Sequence, residues 1–263
     1  VEDPTDRPSL RTARDGAVWR VTLDRPDTGN AVDPALATQL RTTLLDRPED
    51  ARVLLLDAAG PRFCVGGDVR GFGAAADPGT HIGQLARDWH QALRALVDLD
   101  VPVVAAVHGA VAGAGVGLLG ACDIVVCARS TTIRPAYLGI GLSPDGGTSW
   151  ALARALGLPC ALDLVLTNGA LTAAEAQAAG LVARLEDDDS LAGAALALAR
   201  QLADGPVRAM VRSRALLRSA VTAPLDAHLD EEARQIAVSA DDAEGKEGVA
   251  AFLGRRPPDF TRR

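Results

Sequence analysis

Four short runs of the chain are rich in apolar, β-branched residues: Trp19–Leu23, Arg52–Ala58, Val101–Val107 and Asp123–Ala128. Runs of this length with little polar alternation predict strands covered on both faces, and hence a largely parallel sheet flanked by helices. Helical spacing fills the intervals. Asp33–Leu45 predicts a helix with Asp33 as N-cap and Pro34 in first position, and Ile82–Val97 predicts a second. Gly71–Gly83, rich in Gly and Ala, predicts a loop and a candidate flap over a site. After about Leu191 the strand pattern stops. Ser190–Ala203, Val207–Ala220, Leu225–Val238 and Ala243–Leu253 predict successive helices, punctuated by Gly205-Pro206 and Pro224. The expected organisation is an αβ core over residues 1–190 and a helical region over 191–263, the latter packed on the core or on another subunit.

One stretch has the length of a membrane span. Val101–Cys122 contains no Asp, Glu, Lys or Arg. Pro102, His108, its many glycines and the absence of flanking Trp or Tyr favour a buried strand followed by a helix. The N-terminal VEDPTDRPSL is acidic and has no apolar core, so no signal peptide is expected there.

The net charge of −7 disfavours nucleic acid, which selects basic surface. Cys64, Cys122, Cys127 and Cys160 show no C-x-x-C spacing, and three of them sit in apolar runs. Free, mostly buried thiols and a cytoplasmic location are expected. No His, Asp or Glu spacing indicates a metal site, and Ser143 lacks the G-x-S-x-G setting of a hydrolase.

Three glycine-rich segments can carry chemistry. Gly60-Pro-Arg-Phe-Cys-Val-Gly-Gly-Asp68 follows a strand, where paired glycines let an amide N–H point into a crevice. Gly109-Ala-Val-Ala-Gly-Ala-Gly-Val-Gly117 joins a strand to a helix whose first free N–H groups favour negative charge. Gly139-Ile-Gly-Leu-Ser-Pro-Asp-Gly-Gly147 places Asp145 in a turn before a helix beginning near Thr148, as a cap or as an acid. Gly115–Gly120 also matches G-x-G-x-x-G. The next strand ends in Arg129 rather than an acid, which disfavours a dinucleotide site.

Together the three segments resemble the crotonase (enoyl-CoA hydratase/isomerase) superfamily, and the resemblance covers nearly the whole chain. Leu23-Asp-Arg-Pro-Asp-Thr-Gly-Asn-Ala31, Phe63–Asp68, Pro102–Gly109 with Gly113–Gly115, Cys122-Asp123, Leu171–Val182 and Glu247–Arg256 are similar to its motifs. The resemblance implies a spiral of ββα units followed by a helical C-terminal trimerisation region. It implies an acyl-CoA thioester as substrate, with coenzyme A entering as part of it, and no further cofactor or metal. A homotrimer or dimer of trimers is implied, with no nucleic-acid or membrane partner. By family position the amide N–H groups of Gly67 and Ala114 hold the thioester oxygen as it becomes an enolate, with Val65, Gly66, Asp68 and Gly113 around the substrate. Arg25, Arg62 and Arg70, with Arg255-Arg256 from a neighbouring subunit, are candidates for the CoA phosphates.

The catalytic acids depart from the hydratases of the superfamily. Their two glutamates correspond here to Gly117 and Tyr137. An acid stands instead at Asp145, as in the enoyl-CoA isomerases, where a single base moves one proton. An isomerase is therefore expected, with a hydratase as the alternative. Trp89-His90-Gln91 and the Tyr137…Asp145 spacing also resemble the aryl-CoA dehalogenases, so Tyr137 and His90 are candidate supporting residues. An aromatic content of 3% offers little for an aryl cage. A non-catalytic acyl-CoA-binding subunit is the alternative outside enzymes.

Overall fold

The apolar runs form the middle of a six-stranded sheet in a computed structural model that describes residues 8–261. In chain order the elements begin β1 (Leu10–Asp15), β2 (Val18–Leu23), α1 (Pro34–Leu45), β3 (Val53–Ala58), α2 (Val69–Ala74), α3 (Pro78–Val97) and β4 (Val103–Val107). They continue with β5 (Ala110–Ala112), α4 (Ala114–Ala121), β6 (Ile124–Ala128), β7 (Thr132–Arg134), α5 (Thr148–Leu156) and α6 (Leu158–Leu166). The last are β8 (Leu171–Thr172), α7 (Ala173–Ala178), β9 (Arg184–Glu186), α8 (Leu191–Ala203), α9 (Val207–Ala220), α10 (Leu225–Asp241) and α11 (Ala243–Leu253).

The large sheet has the order β1-β2-β3-β4-β6-β9, parallel throughout except for the β1–β2 hairpin. A second sheet, β5-β7-β8, stands beside it. Alternation along each strand serves two cores. Trp19, Val21, Leu54, Leu56, Ala105 and Val107 pack with residues of α1, α3 and α4. The intervening Val18, Val53, Leu55, Val104, Ala106 and Val126 pack against Leu191, Ala195, Leu198 and Ala199 of α8. Neither face of the central strands meets water, which is why their sequences are apolar without a polar phase. The first helix after residue 190 thus closes the core, and α9–α11 extend beyond it.

Asp123 ties that extension to the sheet. Its carboxylate accepts from the Val103 N–H at 2.8 Å and pairs with Arg214 at 3.0 Å and Arg218 at 2.9 Å.

The expected loop over 71–83 is corrected. Residues 69–74 are helical, and α3 starts at Pro78, four residues before the expected Ile82. Asp77 caps α3 by accepting from the Thr80 N–H, as Asp33 caps α1 by accepting from Leu36. The first turn of α3 is solvated and therefore carries no apolar stripe. Helix α10 likewise runs on to Asp241.

Val101–Cys122 is β4, β5 and α4. No helix among the described residues is long and apolar enough to cross a membrane. Most of the stretch read as lacking a signal peptide, residues 1–7, lies outside the described residues. Cys64, Cys122 and Cys127 are free and buried, and Cys160 is free and exposed.

Candidate active site

Two backbone amides and one carboxylate meet in a single cavity. Residues 63–68 run as an extended strip in which Cys64 bridges Val111 and Gly67 bridges Val32, both parallel. The Val32 N–H donates to Gly66 O at 2.7 Å, and the Asp68 N–H donates to Val32 O at 2.9 Å. In such a parallel bridge the flanking residues make the bonds, so the amide of Gly67 itself turns to the opposite side. Ala114 opens α4, where a first-turn N–H has no intrahelical acceptor. Neither amide donates to another described residue.

Backbone touches backbone to bring these amides together. Gly66 (φ +92°) and Gly113 (φ +51°) are in conformations that other residues rarely adopt. A Cβ on Gly66 would stand 3.1 Å from Ala112 O, 3.2 Å from Gly113 Cα and 3.4 Å from Ala114 N. Any side chain there would push apart the two segments that carry the amides.

Asp145 sits half-buried in the turn before α5. The Tyr137 hydroxyl donates to its Oδ1 at 2.7 Å, lies 3.0 Å from its backbone O, and is 3.3 Å from Thr148 Oγ1. Burial and then the Asp145 charge push the Tyr137 phenol well above its ordinary value, so it remains a proton donor to the carboxylate. Thr148 Oγ1 donates to Gly113 O at 2.8 Å, linking this turn to the start of α4. From α3, His90 Nε2 accepts the Gly146 N–H at 3.1 Å. An amide can only donate, so that ring nitrogen carries no proton.

Gly117 lies against the same turn. A Cβ built on it would fall 1.7 Å from Gly146 O and 2.9 Å from Thr148 N. The backbone of the Asp145 turn fills the space that a glutamate at position 117 would need.

The cavity encloses about 350 Å³. Val65, Gly66, Gly67, Gly113, Ala114, Tyr137 and Asp145 line it, and among the described residues Asp145 is the only carboxylate in the lining. The other candidates stand outside the lining. Asp68 caps α2 by accepting from the Arg70 N–H at 3.1 Å, and Arg70 is exposed. His90 acts from behind the Asp145 turn. Arg25 donates to Ala31 O and pairs with Asp33 at 2.8 Å, inside the N-terminal turn. Arg62 is exposed, and Arg256 pairs with Glu247.

Sequence reading missed three contributors. Asn30, fully buried, donates to Ala59 O and Arg62 O and so fixes the segment leading to Gly67. Its signal was the asparagine of the 23–31 motif. Thr148 was seen only as a helix start. Phe72, in the cavity wall, lay in the segment read as a loop. Although aromatic residues are scarce, three of the eight, Phe72, Trp89 and Tyr137, line this one cavity. Among the described residues no cluster of three His, Cys, Asp or Glu side chains is placed to hold a metal.

Two free amides beside one carboxylate in an apolar cavity define a class of site. It can hold a carbonyl oxygen that gains negative charge while a proton moves on the neighbouring carbons. A family model described as enoyl-CoA hydratase/isomerase matches residues 13–263. The 1,2-epoxyphenylacetyl-CoA isomerase of Escherichia coli K12 is 36% identical over 251 residues, covering 93% of this chain and 95% of that protein. A Rhodobacter capsulatus protein described as "Probable enoyl-CoA hydratase" is 36% identical over 244 residues, covering 92% and 94%. An enoyl-CoA hydratase structure from Polaromonas sp. JS666 superposes with a TM-score of 0.90 at 30% identity, covering 95% and 98%. The chain belongs to the enoyl-CoA hydratase/isomerase family, with the crotonase fold, and is an acyl-CoA enzyme of that superfamily.

Proposed function

We propose that the chain is an enoyl-CoA isomerase in which Asp145 carries one proton between two carbons of the acyl group. The observation that carries this reading is that, among the described residues, Asp145 is the only carboxylate lining the cavity that holds both free amides. The thioester oxygen accepts from the Gly67 and Ala114 N–H groups. Asp145 takes the C2 proton of a 3-enoyl thioester, the C2–H electron pair becomes the C1=C2 bond of a dienolate that keeps its C3=C4 bond, and the carbonyl π pair moves onto the thioester oxygen. The negative charge collects on the oxygen between the two amides, where fixed dipoles stabilise it more than they stabilise the ground state. The C3=C4 pair then takes the proton back from Asp145 at C4, the C1=C2 pair becomes the C2=C3 bond and the carbonyl re-forms, giving the 2-enoyl thioester with no net gain or loss of atoms. Tyr137 orients the carboxylate, and His90 holds the turn that bears it.

The obstructed space at Gly117 supports a shift over a hydration, because syn addition of water is served best by two carboxylates. Hydration is the second reading, favoured by the similarity to the Rhodobacter relative described as a probable enoyl-CoA hydratase. Turnover separates the two. The enzyme is expected to convert 3-enoyl-CoA to 2-enoyl-CoA faster than it hydrates 2-enoyl-CoA, and Asp145→Asn is expected to lose about 10²–10⁴-fold. Release of mainly 3-hydroxyacyl-CoA, or an Asn variant as active as the parent, overturns the isomerase reading.

The same proposal includes a homotrimer or a dimer of trimers. None of the residues of α10 is buried within one chain, while Leu225, Leu229 and Ile236 on it are exposed, as are Phe252 and Leu253 of α11. Apolar faces of this kind call for a second copy. Light scattering that returns a monomer at micromolar concentration refutes it.

A further inference from the structure

We infer that Phe72 sets the acyl specificity of this site, and that the preferred acyl group is a compact one bearing a flat six-membered ring rather than a long straight chain. The inference rests on the acyl-CoA reading of the cavity but not on which reaction occurs there.

Phe72 is held directly beside one of the two amides. A Cβ on Gly67 would meet Phe72 Cζ at 2.6 Å, so the edge of the ring rests against the Gly67 backbone. On its other side the ring meets His81 edge-on, with centroids 6.2 Å apart at 67°. An acyl group whose thioester oxygen reaches the Gly67 and Ala114 amides therefore leaves that point alongside Phe72.

The remaining walls narrow the choice. Trp89 from α3 and Tyr137 from the segment before α5 line the same space, so flat rings from three separate parts of the chain converge on it. Leu85 and Trp89 are buried and close the α3 side. At about 350 Å³ the cavity lies near the lower end of ligand sites, which run from ~300 to ~1,000 Å³. It takes an acyl group and leaves the nucleotide outside. Aromatic faces and edges favour an aromatic guest in offset or edge-on contact over a flexible chain of equal area, which also loses more rotamer freedom on binding.

Calorimetric titration with thioesters that carry no alkene to shift or hydrate tests this without turnover. Phenylacetyl-CoA, butanoyl-CoA and dodecanoyl-CoA share the CoA portion and differ only in the acyl group. The wild type is expected to bind phenylacetyl-CoA about tenfold or more tightly than either of the others. Phe72→Ala is expected to weaken phenylacetyl-CoA and tighten dodecanoyl-CoA, shrinking that ratio several-fold. Phe72→Leu keeps apolar bulk without the flat face and is expected to fall between. Circular dichroism confirms that each variant is folded.

Equal or tighter binding of butanoyl- or dodecanoyl-CoA by the wild type overturns the proposal. So does a ratio unchanged in both folded variants. Because none of these ligands carries a double bond to shift or hydrate, failure here is distinct from failure of the isomerase reading. Loss of isomerisation with the binding preference intact refutes only the latter.

Discussion

Replacing Gly117 by Ala is a sharp test of the site geometry, because helix propensity and local packing predict opposite signs. In an exposed helix interior, Gly→Ala raises stability by about 1 kcal/mol. Here the added methyl would lie 1.7 Å from Gly146 O, 2.7 Å from Gly146 C and 2.9 Å from Thr148 N. All three are backbone atoms, so no side chain can rotate aside. The separation must double, to at least 3.4 Å, before contact becomes ordinary. Either α4 or the Asp145 turn has to move. Overpacking of this kind costs about 1–3 kcal/mol. At ~2–4 °C per kcal/mol for a chain of this size, the melting temperature should fall by roughly 5 °C. Displacing the Asp145 turn by about 1 Å should lower kcat on the order of 10²-fold. Differential scanning calorimetry at fixed protein concentration and isomerisation kinetics read both effects. A Gly117→Ala enzyme with unchanged or higher melting temperature and wild-type kcat would show that the turn does not abut α4 as described.

Ala114→Pro removes an N–H at a position where a helix accepts proline, so kcat should fall about 10²–10³-fold with little change in thermal melting; wild-type kcat in the folded variant places the oxygen elsewhere. Tyr137→Phe deletes the 2.7 Å donor to Asp145 and should cost roughly tenfold or more in kcat, visible in steady-state kinetics. Native Tyr137 keeps its proton above the pH of ~10 at which an unfolded tyrosine loses it. Stability should therefore decline as pH rises past ~10, and urea midpoints of Tyr137→Phe should show a shallower decline. The Arg212 guanidinium, with Arg208 beside it, holds Asp242 down to about 2 from the ordinary 3.8. That pair's contribution is present above ~4 and disappears as pH falls through about 2. Asp242→Asn should flatten acid unfolding of the C-terminal helices followed by circular dichroism over this window.

The central strands and α1 were legible because burial on two faces and an Asp-Pro cap leave direct marks in the chain. β1 was not, since Leu10–Asp15 is an edge strand with four exposed positions and no apolar run. β7 and β8 are too short to show periodicity, and only their pairing with each other and with β5 makes them strands. Asp145, Gly67 and Ala114 stood out through motif resemblance, and the fold brings all three to one cavity. What the chain could not display was contact across it. His90 reaches Gly146 over 56 positions, and Thr148 reaches Gly113 over 35. The Arg candidates, read for the CoA phosphates, stand outside the cavity lining, and Arg25 pairs with Asp33 eight positions away. Scarce aromatic residues looked unhelpful as a percentage and became informative only through their placement.

The contact between Gly66 and Gly113 has a consequence for how such a site changes over generations. It presents two N–H groups that every amino acid except proline carries, so only a change to proline deletes either donor directly. Most substitutions at Gly67 or Ala114 act through the shape of the surroundings rather than through loss of a functional group. Side chains around the cavity are therefore free to drift. On the proposed mechanism, a carboxylate gained at one wall or lost at another would redirect the proton traffic without rebuilding the oxygen's seat. A library that randomises Tyr137, Ser143 and Asp145 while leaving positions 66, 67 and 113 untouched should be rich in folded proteins that still bind thioesters. Its members should differ in the bond they alter.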